Sequence, residues 1–308
     1  MPVTQGLKRP PYLQPGDTVA ITCPAGAVDA ADIAVMAAAI EARGFRVVLG
    51  KTIGTSYYKF SAPDAERAAD LQQFLDDPNI KAIFFGRGGY GVVRIIDQLD
   101  FNRFNAFPKW LIGYSDITCI LNHVQQQYGI AGLHAHMQGG YQVADYHALS
   151  TDSLFDVLCG HGQTYVGDAH PMNRFGESAG ELCGGNLALL SDLVGTPSEI
   201  DTDGKILFIE DIAEYKYNID RMLWQYQRAG KLARLKGLLV GGFTDTQDNA
   251  VPFGMDEYQM VAEKVATYNY PVVYGFPVGH QAENYALVCG ASYRLQVHEH
   301  GWCLSRQP

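Results

Sequence analysis

Residues 81–91 read Lys81-Ala-Ile-Phe-Phe-Gly86-Arg-Gly-Gly-Tyr-Gly91, an apolar run that breaks abruptly into glycines. With Ile80 before it, the run reads as a strand that passes through a glycine loop into a helix expected over Gly91 to Leu99. The same unit recurs on either side. Toward the N-terminus, Thr18 to Thr22 is a short β-rich run, and Asp29 to Arg43 carries apolar residues at helical spacing until Gly44 stops it. Phe45 to Leu49 repeats the strand signal, and Pro63 to Asp76 repeats the helix. Toward the C-terminus come the strand Trp110 to Gly113, the helix Asp116 to Tyr128 and the strand Ile130 to Leu133. Strand starts near 18, 45, 80, 110 and 130 leave room for right-handed crossovers, which predicts a parallel, doubly wound sheet.

The pattern fades between Gln138 and Gly176, a polar stretch interrupted by a short amphipathic piece at Leu154 to Leu158. Beyond it, helical spacing recurs over Asn186 to Val194, Ile219 to Ala229 and Asp256 to Tyr268. Strand signals cover Ile206 to Ile209, Gly237 to Val240 and Val272 to Phe276, and Ala286 to Leu304 alternates like antiparallel β. The expected organisation is a first domain over residues 1–150, a linker over 151–164 and a mixed α/β domain over 165–308 with a β-rich end. A length of 308 residues fits two domains at ~150 each.

Composition narrows the function classes. Apolar residues make up 47% and charged residues 18%, so the chain is globular rather than disordered, and no apolar run is long enough for a membrane helix. The formal charge is −10 and no basic run exceeds two residues, which argues against nucleic acid and favours a small-molecule or peptide partner. The six cysteines are scattered without a C-x-x-C pair, as expected of reduced thiols. No export signal is read in residues 1–17, so the expected compartment is the cytoplasm.

Four segments carry candidate chemistry. Gly86 to Gly91 satisfies G-x-G-x-x-G in form, but it follows the third strand rather than the first, and the next strand holds no acid for a ribose. A tight turn and an anion or oxyanion cradle remain, because spaced glycines let bare N–H groups converge on negative charge. Ser115 ends an apolar strand just where a helix starts, the placement of a nucleophile elbow, although Ile117 stands where that motif has its second glycine. A helix N-cap is the alternative. His280 follows a strand and a glycine-bracketed loop, where it serves either as a base reaching over a cleft or as a satisfied loop histidine. Glu210 and Asp211 end the apolar strand Lys205 to Ile209; alternation sends them to opposite faces, so only one of them enters a given site. His134 and His136 form an H-x-H pair on a possible strand, without further residues to complete a metal site.

Gly86 to Gly91, Gly113-Tyr114-Ser115-Asp116, Leu207-Phe208-Ile209-Glu210-Asp211 and Gly279-His280 together, and in this order, resemble the LD-carboxypeptidases, or murein tetrapeptide carboxypeptidases. The resemblance implies a Rossmann-like (flavodoxin-like) N-terminal domain, a C-terminal α/β domain, a site at their junction and a homodimer. It implies Ser115 as nucleophile, His280 as general base and Glu210 as its orienting carboxylate, with oxyanion N–H donors near Gly89 and Asp116 and with Gly88 beside them. It also implies cleavage of the bond between an L centre of diaminopimelate and a terminal D-Ala in murein tetrapeptide, during peptidoglycan recycling, without metal or organic cofactor. Arg87 or Arg94 is the expected partner of the terminal carboxylate, Arg94 being equally placed as a surface residue. Relatives that hydrolyse peptidyl-nucleotides such as microcin C7 are one alternative, and a non-catalytic two-domain protein binding a small anion is another.

Overall fold

Buried β-branched and aromatic residues make the strands, and the chain returns between them through helices. The computed structural model describes residues 6–141 and 148–307; residues 1–5 of the N-terminal stretch and 142–147 of the polar stretch after Gln138 lie outside the described residues. The order is Thr18–Thr22 (β1), Ala30–Glu41 (α1), Arg46–Leu49 (β2), Asp64–Asp76 (α2), Ile80–Phe85 (β3), Asn102–Ala106 (α3), Trp110–Gly113 (β4), Thr118–Tyr128 (α4), Gly132–His134 (β5) and Ala148–Cys159 (α5). There follow Thr164–Asp168 (β6), Gly176–Asn186 (β7), Leu187–Asp192 (α6), Ile206–Ile212 (β8), Lys216–Arg228 (α7), Gly237–Thr244 (β9), Glu257–Val265 (α8), Val272–Tyr274 (β10), Leu287–Cys289 (β11), Ser292–His298 (β12) and Gly301–Arg306 (β13).

The first sheet has the order β11-β5-β4-β3-β1-β2. Strands β1 to β5 are mutually parallel, in the flavodoxin-like order 2-1-3-4-5, and β11 adds antiparallel to β5. Alternation along each strand feeds two cores. Ala82 and Phe84 of β3 join Ile33, Met36 and Ile40 of α1 and Leu154 and Leu158 of α5 on one face. Ile83 and Phe85 join Leu71, Phe74 and Leu75 of α2 and Ile120, Leu121 and Val124 of α4 on the other. Helix α5 thus occupies much of residues 151–164 and packs on the first sheet.

The second sheet has the order β10-β9-β8-β7-β12-β13-β6. Its first four strands are parallel and its remaining pairings antiparallel, so the alternation after Ala286 does form antiparallel strands. In open α/β sheets, sites lie beyond the carboxyl ends of the strands. That is where β3 runs into the glycine loop and β4 into Ser115, while Glu210 lies two residues before the end of β8.

One expected element does not form. In place of a helix over Gly91 to Leu99, the chain makes two 3-10 turns, Val92–Arg94 and Ile96–Gln98, with N–H groups reaching back three residues. Val92 and Ile95 are still buried, because three residues per turn aligns positions three apart, and Ile96 at the start of the second turn is buried as well. The buried Arg67 guanidinium also takes the Gly91 carbonyl at 3.0 Å.

Candidate active site

Ser115 is held in a conformation that L residues seldom adopt. Tyr114 leaves β4 extended, Ser115 turns to φ +62°, and the chain enters a 3-10 turn and then α4. A left-handed non-glycine residue costs on the order of 1–3 kcal/mol and persists only where its surroundings over-determine it. The cap role is not taken up: the N-cap of α4 is Ile117, and no side chain caps the helix. Ser115 is half-buried at the lip of the sheet, and its neighbour Asp116 is fully buried.

The glycine loop lies directly against this turn. A Cβ on Gly88 would come within 2.9 Å of Ser115 Cβ, 3.0 Å of its Oγ and 3.3 Å of the Asp116 nitrogen, so only glycine admits this approach. Gly89 stands at φ +98° and Gly91 at +141°, and Gly26 N–H donates to the Gly88 carbonyl at 2.9 Å. The loop has two braces. The Asp116 carboxylate accepts from Val92 N–H at 2.8 Å, and Arg67 donates to the carbonyls of Ala62, Pro24 and Gly91. Neither brace was legible as such. The available signal was Arg67 lying at helical spacing within the buried stripe of α2, among Ala68, Leu71, Phe74 and Leu75.

From the other sheet, Glu210 lies within the buried part of β8 with no exposed surface and accepts a hydrogen bond from His280 Nδ1 at 2.7 Å. A histidine that donates through Nδ1 to a carboxylate keeps Nε2 as its acceptor. Gly279 at φ +109° folds over Glu210, since a Cβ there would lie 2.6 Å from Glu210 Cβ and 2.7 Å from Oε2. Asn284 fixes this loop by accepting from Gly279 N–H at 3.0 Å. The His280 ring packs on Tyr114 with centroids 4.6 Å apart, so the residue next to Ser115 touches the histidine. Asp211 points away, accepting from Asn186 Nδ2 and from Ala188 and Ile212 N–H, as strand alternation requires.

Residues 19–135 match the family model of the LD-carboxypeptidase N-terminal domain, and residues 179–295 match that of its C-terminal domain. The chain belongs to the LD-carboxypeptidase family. It is 35% identical over 298 residues to a probable murein peptide carboxypeptidase of Bacillus subtilis, covering 94% of this chain and 92% of that protein. The crystal structure of muramoyltetrapeptide carboxypeptidase from Oxalobacter formigenes superposes with a TM-score of 0.86 at 27% identity, over 94% of this chain and 99% of that one. A microcin C7 self-immunity protein, MccF, superposes with a TM-score of 0.84 at 20% identity, over 96% and 98%, which shows a shared fold.

In this LD-carboxypeptidase-family chain the two arginines beside the loop have different surroundings. Arg94 is engaged by the Asp64 carboxylate, through Nε at 3.0 Å and Nη2 at 2.7 Å. Arg87 is exposed and makes no ion pair with a described residue. The H-x-H pair does not share a strand, because β5 ends at His134. Both rings are buried among aromatics, His134 on Phe208 and Tyr114 and His136 on Tyr141, and burial pushes both down to about 4. Among the described residues, no group of three or more His, Cys, Asp or Glu side chains is placed to hold a metal ion.

Two buried carboxyls around the site make stability depend on pH. Burial raises Asp116 to about 6, and burial together with the neighbouring Glu210 charge raises Asp211 to about 7. Unfolded, both return to the ordinary range near 4. Between about pH 4 and 7 the folded chain therefore holds protons that the unfolded chain has released, so stability falls as pH rises through that window. Asp116→Asn and Asp211→Asn are each expected to flatten this decline, by on the order of 2 kcal/mol between pH 4.5 and 7.5 in denaturant melts. A double variant with the wild-type slope would contradict the assignment.

Proposed function

We propose that this protein is a serine carboxypeptidase that hydrolyses the L,D-peptide bond of murein tetrapeptide and releases C-terminal D-Ala, in the recycling of peptidoglycan. The observation that carries the reading is the 2.7 Å His280–Glu210 pair, set against Tyr114 beside a serine held at φ +62°. His280 Nε2 takes the proton of Ser115 Oγ as Oγ attacks the carbonyl carbon. The tetrahedral oxyanion is received by backbone N–H groups of Gly89 and Asp116; the close approach of Gly88 to Ser115 and to the Asp116 nitrogen supports this reading. Protonated His280 gives its proton to the departing D-Ala amine, leaving an acyl-enzyme. Water then attacks the acyl carbon while His280 takes its proton; the second tetrahedral intermediate collapses by breaking its bond to Ser115 Oγ, which recovers that proton from His280 as the tripeptide acid is released. Glu210 holds the imidazole in the Nδ1–H tautomer and stabilises the imidazolium. The names of the relatives support the peptide substrate, and Arg87 is assigned the terminal carboxylate.

Incubation of L-Ala-γ-D-Glu-meso-diaminopimelyl-D-Ala with the protein, followed by mass spectrometry, is expected to give the tripeptide and free D-Ala. Absence of both products at stoichiometric enzyme overturns the substrate assignment.

A further inference from the structure

Helix α4 carries the serine's turn from the first sheet into contact with β7 of the second, and the contact nearest Ser115 is a single hydrogen bond. Thr118, three residues after Ser115 and fully buried, accepts through Oγ1 from the Asn186 N–H at 3.1 Å. Asn186 is the last residue of β7 and stands opposite Glu210 in the β7/β8 ladder. Its side chain donates to Asp211 at 2.9 Å and caps α6 by accepting from Leu189 N–H. One bond therefore connects the start of the nucleophile's helix to the ladder position that faces the triad acid.

The local backbone is shaped for this contact. Gly184 and Gly185 adopt φ +145° and +144°, and a Cβ on Gly185 would lie 2.5 Å from Thr118 Cγ2 and 2.6 Å from Oγ1. A side chain there would force α4 away from β7. One turn further on, Asn122 Nδ2 reaches the Gly184 carbonyl at 3.4 Å, a longer bond farther from Ser115.

We infer that Thr118 and Asn186 are positioning residues, whose hydrogen bond sets Ser115 Oγ in register with His280 across the junction of the two sheets. The inference rests on the serine-triad reading above. Neither residue touches substrate. Their effect is on attack geometry, where a displacement of about 1 Å costs up to ~10²-fold in rate. Thr118→Val keeps the shape and removes the acceptor, leaving a buried N–H unpaired, whereas Thr118→Ser keeps the acceptor.

The test compares wild type, T118V, T118S, T118A and N122A by fluorophosphonate labelling rate, by kcat and KM for tetrapeptide, and by thermal melting. T118V and T118A are expected to lose about tenfold in both labelling rate and kcat, with KM within about twofold. T118S is expected to recover most of the loss, and N122A to lower Tm with kcat within about twofold. If T118V does not fold, T118A decides, since it adds no bulk. Wild-type labelling and kcat in a folded Thr118 variant without the hydroxyl overturn the inference, as do losses in T118A and N122A that track Tm alone. A wild-type protein that takes no label overturns the triad reading, and this inference falls with it.

Discussion

Ser115→Ala and His280→Ala are each expected to lower kcat by roughly 10⁴–10⁶, with little change in melting temperature. The size follows from function as a unit: without Oγ there is no acyl-enzyme, and without the imidazole the hydroxyl proton has no acceptor. The fold should survive. Alanine has the Cβ of serine, so it meets the same cost at φ +62°, and the Ser115 hydroxyl caps no helix. His280 packs on Tyr114 at a partly open rim, with a side chain 14% exposed. Glu210→Gln should cost less than either, since an amide still fills the pocket beneath Gly279, although Nδ1–H loses its charged acceptor. Steady-state turnover with D-Ala detection and stoichiometric fluorophosphonate labelling provide the two readouts. Should Ser115→Ala keep more than about a tenth of wild-type activity, Ser115 is not the nucleophile.

How much of this was legible depended on whether a feature is local. Strands β1, β3 and β4 are apolar runs bounded by turn residues, and their spacing alone implies crossovers. Strand β7 escaped notice because Gly176-Glu-Ser-Ala-Gly-Glu-Leu-Cys-Gly-Gly-Asn186 lacks β-branched residues and holds four glycines. The alternation of β11 was visible, but its place beside β5 in the first sheet depends on Leu287 facing His134, a long-range pairing without a local signal. The same division holds at the site. Ser115 follows an apolar strand closely, Glu210 ends the apolar run Ile206 to Ile209 and His280 follows a glycine-bracketed loop, so each has a recognisable local neighbour. Arg67 binds mainly backbone carbonyls, which have no sequence signature, and Asp116 braces the loop with its carboxylate, where the resemblance implied an N–H donor.

Selectivity for a free D-terminal carboxylate is the second large effect expected. A carboxypeptidase must distinguish a terminal anion from a continuing chain, which requires a cation that is not already committed. Arg94 is committed to Asp64 through a two-pronged contact, on a carboxylate it shares with the buried Arg67, whereas Arg87 sits beside Gly88 and Gly89, exposed and without an ion pair to a described residue. Pairing a substrate carboxylate there leaves the guanidinium unpaired when an amide binds instead, so the penalty falls on the wrong substrate. The stereochemical preference has a different origin: the serine's approach is fixed by the turn at Ser115 and the close-packed Gly88, and inverting the terminal centre swaps the directions of its methyl and hydrogen relative to that approach. The tetrapeptide is therefore expected to exceed both its C-terminal amide and the isomer ending in L-Ala by at least ~100-fold in kcat/KM, about 3 kcal/mol of transition-state binding. Arg87→Ala should collapse the acid-to-amide ratio toward unity and leave the D-to-L ratio largely intact, because the two depend on different parts of the site. Kinetics on the three peptides with both proteins decide the matter. Equal kcat/KM for the D- and L-ended bonds reduces the activity to that of an unspecific peptidase, an unchanged acid-to-amide ratio in Arg87→Ala moves the carboxylate site elsewhere, and turnover of a peptidyl-nucleotide alone reassigns the substrate class.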